Sequence, residues 1–65
     1  MQQFKVSGMS CGHCVRAVTQ AIQALDQAAR VEVDLAAGRV SVESVLDAAQ
    51  IQAAIREEGY EVAPV

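Results

Sequence analysis

Sixty-five residues, 52% of them apolar but only Phe4 and Tyr60 aromatic, make one small domain spanning 1–65 with an aliphatic core; a deep catalytic pocket is hard to build at that size. A net charge of −3, with Lys5, Arg16, Arg30, Arg39 and Arg56 scattered along the chain, excludes a surface that neutralises nucleic-acid phosphates. No apolar run approaches the roughly 20 residues that span a bilayer, so no membrane insertion is expected, and a start at Met1 without a secretory signal makes the cytoplasm the expected compartment.

Phe4 and Val6 alternate with Lys5, which predicts a short half-buried strand over 3–7. A loop over 8–13 follows. From Cys14 the period changes: Val15, Val18, Ile22 and Leu25 share one helical face, with Arg16, Thr19, Gln20 and Gln23 on the other and Ser10 as the expected cap. Val31, Val33 and Leu35 alternate with Glu32 and Asp34 as a second strand. It turns through Ala36-Ala37-Gly38, where glycine can take positive φ, into a third strand carrying Val40 and Val42. Ser44 or Asp47 caps a second helix running to about residue 58, with Leu46, Ile51 and Ile55 inward and Gly59 as its stop. A last short strand covers 60–62, and Pro64 limits it. The order β-α-β-β-α-β predicts an α+β, ferredoxin-like fold: a four-stranded antiparallel sheet with two helices on one face.

The chemistry sits in Gly8-Met9-Ser10-Cys11-Gly12-His13-Cys14, which holds both cysteines. Two thiolates at that spacing can close on one soft metal ion or on each other. A reducing compartment favours metal binding or transient redox chemistry over a structural disulfide. Cys14 falls in the first helical turn, where free N–H groups and the helix dipole stabilise negative charge. A closed zinc site normally takes four protein ligands; two Cys and His13 leave it at least one short, and the residue before Cys11 is the neutral Ser10. Thiolates select Cu(I), which is satisfied by two or three sulfurs.

Residues 8–14 resemble the Gly-Met-x-Cys-x-x-Cys signature of the heavy-metal-associated domain, especially as it stands in small bacterial copper chaperones of the CopZ type. The likeness extends over the whole chain, through the β-α-β-β-α-β order to Gly59-Tyr60 before the last strand. The resemblance implies that Cys11 and Cys14 ligate Cu(I) and that Met9 supports the loop from below. It implies that the metal passes by ligand exchange to the metal-binding domain of a copper-exporting P-type ATPase or a similar docked partner. It also implies that the outer helix face, from Arg16 to Gln23, flanks the docking surface. This is binding and transfer, not catalysis.

Three further residues belong to the expected site. Met9 carries a thioether that packs more often than it ligates. His13 is expected to point to solvent, with ligation or a copper-bridged dimer of an otherwise monomeric chain as the sharper alternative. The topology brings the loop before the last strand beside the loop after the first, so the Tyr60 phenol can cover the site and offer its hydroxyl to a sulfur. Glu57, Glu58 and Glu61 read as a solvated acidic face. Three alternatives remain: a regulatory metal-binding domain of a heavy-metal P-type ATPase, a carrier of Hg(II), Zn(II) or Cd(II), and a dithiol oxidoreductase.

Overall fold

Six elements follow one another along the chain: β1 (Gln2–Ser7), α1 (Gly12–Leu25), β2 (Arg30–Asp34), β3 (Arg39–Glu43), α2 (Ala48–Glu57) and β4 (Glu61–Pro64). The structure, a computed structural model, describes residues 2–9 and 12–64; the expected cap Ser10 and the expected ligand Cys11 lie outside the described residues. The strands form one antiparallel sheet in the order β2-β3-β1-β4. This is the ferredoxin-like arrangement that the alternating pattern predicts.

Register explains which side is buried. Phe4 stands opposite Val40, Gln2 opposite Val42 and Val6 opposite Val62, so the apolar positions of neighbouring strands share one face. Both helices cover that face. Val18 and Ile22 of α1 join Ile51 and Ile55 of α2 in one core with Phe4, Val6, Val40, Val42 and Val62. The other face is open to water and carries Gln3, Lys5, Ser7, Glu32, Arg39 and Glu61. A domain of this length is stable by roughly 3–10 kcal/mol. Truncating the fully buried Phe4 to alanine costs about 3–5 kcal/mol, most of that margin.

Helix α2 starts as its capping signals predict. Asp47 is the N-cap: its carboxylate accepts from the Gln50 N–H at 2.8 Å, and the Gln50 side chain accepts from the Asp47 N–H at 3.1 Å. Ser44, the other candidate cap, has a different task. Its hydroxyl donates to Asp26 Oδ2 at 2.7 Å and accepts from the Leu46 N–H at 3.0 Å, joining the α1–β2 and β3–α2 connections. That hydroxyl and then the Ala28 N–H hold the Asp26 carboxyl below the usual carboxylate range; desolvation opposes them, and the Val45 N–H adds a still smaller lowering. The hairpin between β2 and β3 turns at Gly38 (φ +65°), whose carbonyl also accepts from the Val6 N–H at 2.7 Å.

Several expectations are corrected: α1 begins at Gly12 rather than after a loop to residue 13, and Leu35 lies past the end of β2 and is 39% exposed. Leu25 is 57% exposed rather than inward, because α1 ends there and Ala29, in the following connection, takes the core position. The last strand runs over Glu61–Pro64, with Tyr60 just before it. Pro64 is tolerated there because β4 is an edge strand, whose outer side needs no donor.

Candidate metal centre

Strands β1 and β2 run in the same direction, so the loop after β1, the β2–β3 hairpin and the α2–β4 connection gather at one end of the molecule. The cysteine loop belongs to this end. Cys14 is the third residue of α1 and half-buried. The first turn of α1 carries no acidic side chain. A thiolate there meets positive backbone dipoles without a competing carboxylate on its own turn.

Gly8 opens the loop with φ +98°, a backbone shape that side chains with a Cβ rarely adopt. Beside it stands Tyr60. Ser7 pairs with Glu61 across β1 and β4, which leaves Gly8 and Tyr60 as the next residues outward on the two strands. A Cβ built on Gly8 would lie 3.4 Å from Tyr60 Cδ1. The ring also packs against the core, as does Met9 from the loop itself. The segment that leads to the cysteines therefore rests on a thioether and a phenol ring. At the end of α2, Gly59 (φ +93°) reverses the chain towards Tyr60, and its N–H donates to the Arg56 carbonyl at 2.9 Å.

Of the expected site residues, the structure brings Met9, Cys14 and Tyr60 to one end, all three half-buried, and leaves His13 exposed on α1. Cys11 is outside the described residues. Among the described residues no group of three His, Cys, Asp or Glu side chains is placed to hold a metal ion. Glu57, Glu58 and Glu61 are exposed, as a solvated face requires. Along the outer face of α1, Arg16, Gln20 and Gln23 are exposed, whereas Thr19 is half-buried and its hydroxyl donates to the Val15 carbonyl at 2.9 Å. That Tyr60 lies beside the loop after β1 is what the predicted topology implies; the β1–β4 register adds Gly8 as the point of contact.

The heavy-metal-associated domain model matches residues 3–61. The copper chaperone CopZ of Staphylococcus aureus (strain MRSA252) is 43% identical over 62 residues, covering 91% of this chain and 91% of that protein. The copper chaperone CopZ of Bacillus subtilis (strain 168) is 42% identical over 63 residues, covering 92% and 91%. Among solved structures, the copper chaperone Atx1 from Synechocystis PCC6803, in its Cu2 form, superposes with a TM-score of 0.94 at 38% identity, over 97% of this chain and 100% of that one. Among the described residues no helix is long and apolar enough to cross a membrane.

Proposed function

The chain belongs to the heavy-metal-associated domain family, and we propose that it carries Cu(I) between Cys11 and Cys14 and hands the ion on by ligand exchange. The observation that carries this reading is the position of Cys14. It sits in the first turn of a helix with no acidic side chain there, at the end where Met9 and Tyr60 pack against the core. A soft monovalent ion needs thiolates and little else. The relatives named as copper chaperones, matched over about nine-tenths of both lengths, support copper as the cargo.

Transfer follows from the coordination chemistry. Two sulfurs from one short segment leave Cu(I) open to a third. A cysteine of a docked partner bonds to the ion, one of the two original Cu–S bonds breaks, and a second exchange completes delivery without free copper. The ion stays Cu(I) throughout, so no electron acceptor is involved. The partner is a domain with a matching cysteine pair, such as the metal-binding domain of a copper-exporting P-type ATPase. It docks over the loop and the exposed side chains of Arg16, Gln20 and Gln23. The protein works in the cytoplasm as a monomer and catalyses no reaction.

Met9 fills space beneath the loop rather than ligating, and Tyr60 covers the site from the β4 side. His13 stays outside the ligand set, so His13→Ala leaves both Cu(I) affinity and the monomeric state unchanged. Competition with a Cu(I) chelator under anaerobic conditions tests the ligand assignment. Cys11→Ser or Cys14→Ser weakens binding by orders of magnitude; a Cys11→Ser/Cys14→Ser variant that competes as well as the unaltered chain removes the assignment.

A further inference from the structure

The two edges of the sheet are not alike. Alternate residues of a strand turn their N–H and C=O groups to the same side. The Val6 N–H donates to the Gly38 carbonyl, so Gln2 and Phe4 also bond towards β3, and Lys5 and Ser7 bond towards β4. On β4 this leaves Val62 and Pro64 facing outward, and Pro64 has no N–H to offer. Carried through β3, the same alternation bonds Arg30, Glu32 and Asp34 to their opposites there. It turns the N–H and C=O groups of Val31 and Val33 away from the sheet. Strand β2 is last in the sheet, so those four groups face no strand. One edge is blunted by proline; the other is open to pairing.

What fits beside β2 is β2 itself. Laid antiparallel about Glu32, a second copy sets Val31 opposite Val33 twice, and the four outward groups of each chain are all matched. Arg30 then stands opposite Asp34 of the second copy. Within each sheet Arg30 already faces Glu43, and Asp34 faces Arg39. The joint therefore continues a row of alternating sign, from Arg39 and Asp34 to Arg30 and Glu43 of the second copy. The apolar side agrees. Val31 and Val33 are half-buried, and the exposed Leu35 comes opposite Ala29 of the second copy. Gln23 Nε2 donates to the Ala29 carbonyl at 3.3 Å, which holds the end of α1, with its exposed Leu25, close by. A pairing about Val31 would set Arg30 against Glu32, but it draws on the backbone of Ala29. That N–H and that carbonyl already bond to the Asp26 carbonyl and to Gln23. In the pairing about Glu32 one contact is unfavourable: the two Glu32 carboxylates face each other.

We propose that the chain pairs with a second copy of itself through the β2 edges, and that the charge of Glu32 limits how tightly. A dissociation constant of about 1 mM leaves the chain monomeric at micromolar concentration. The surface goes beyond the copper reading and needs neither cysteine nor metal.

Backbone amide shifts of the reduced, metal-free chain, followed from about 0.05 to about 2 mM, test this. Concentration-dependent shifts are expected at Val31, Glu32 and Val33 and not at Val62. Glu32→Gln, at an exposed position, tightens the pairing about two- to fivefold. An equal mixture of the unaltered chain and Glu32→Lys associates more tightly than either alone, because a residue that faces its own copy then meets the opposite charge. Shifts independent of concentration in both the unaltered chain and Glu32→Gln, or shifts centred on β4 or the cysteine loop, would each overturn the proposal. So would weaker pairing in Glu32→Gln, which a pairing about Val31 requires, or a mixture no tighter than its components. The Cys11→Ser/Cys14→Ser variant associates as the unaltered chain does, which separates this outcome from that of the copper titration.

Discussion

Polar side chains close most of the connections at one end of the molecule, while at the other, where the Asp34 carboxylate accepts from the Ala37 N–H at 3.2 Å, positive-φ glycines and apolar packing shape the rest. At the first end Asp26 accepts from Ser44 and from the Ala28 N–H, Asp47 and Gln50 cap α2 reciprocally, and Gln2 Nε2 donates to the Leu46 carbonyl at 2.9 Å. At the end of the cysteine loop, Gly8, Gly38 and Gly59 all take positive φ, and Met9 and Tyr60 pack down on the core. The difference separates two tasks. The carboxylate and amide ties that hold the first end lie away from Cys14. Under the proposed function, sulfur ligands at the second end change partners while the ties that secure the fold stay in place.

The largest effect that probes this separation is at the loop. Gly8→Ala puts a Cβ at a positive φ, in contact with Tyr60, and costs about 1–2 kcal/mol in chemical denaturation; under the proposed function it also weakens Cu(I) binding, because Gly8 opens the segment that leads to the cysteines. Gly59→Ala breaks the comparison if it proves more damaging, since a Cβ there meets nothing within 4 Å. At the other end Asp47→Ala removes the cap of α2 and costs about 1 kcal/mol, with Cu(I) affinity unaltered. If the ends are independent, the Gly8→Ala/Asp47→Ala variant loses the sum of the single losses to within about 0.5 kcal/mol. A larger deviation would show that the two ends share one constraint.

The smallest effect is that of Asp26. Its folded carboxyl titrates below its ordinary range, so the stabilisation is complete above that range and fades as the pH falls through the lowered value. Denaturation at successive pH values should find Asp26→Asn less stable than the unaltered chain near neutrality, with the gap closing under acid. A gap that stays constant to the acid limit would mean that the carboxylate charge contributes nothing.

Much of this was legible in the chain itself, for physical reasons that differ from place to place. Alternation at Phe4-Val6, Val31-Val33 and Val40-Val42 gave the strands because a two-residue period has one solution on a sheet with one wet face. Asp47 and Gly59 bounded α2 because caps and stops are local chemistry. Leu25 misled because helical periodicity identifies a face but not where the sheet beneath it ends. The Asp26–Ser44 tie, 18 residues apart, depends on how strands are ordered and registered. It has no signature in spacing. The site itself was half legible: the cysteine spacing and helix start pointed to a soft metal, whereas the contact of Tyr60 with Gly8 required the β1–β4 register.

Anaerobic titration with Cu(I), followed by X-ray absorption at the copper edge, tests the central claim most directly. The account predicts a single bound Cu(I) per chain with a shell of sulfur alone, lost in the Cys11→Ser/Cys14→Ser variant and retained in His13→Ala. A shell containing nitrogen that disappears in His13→Ala, or copper bound as tightly without the two cysteines, would contradict it.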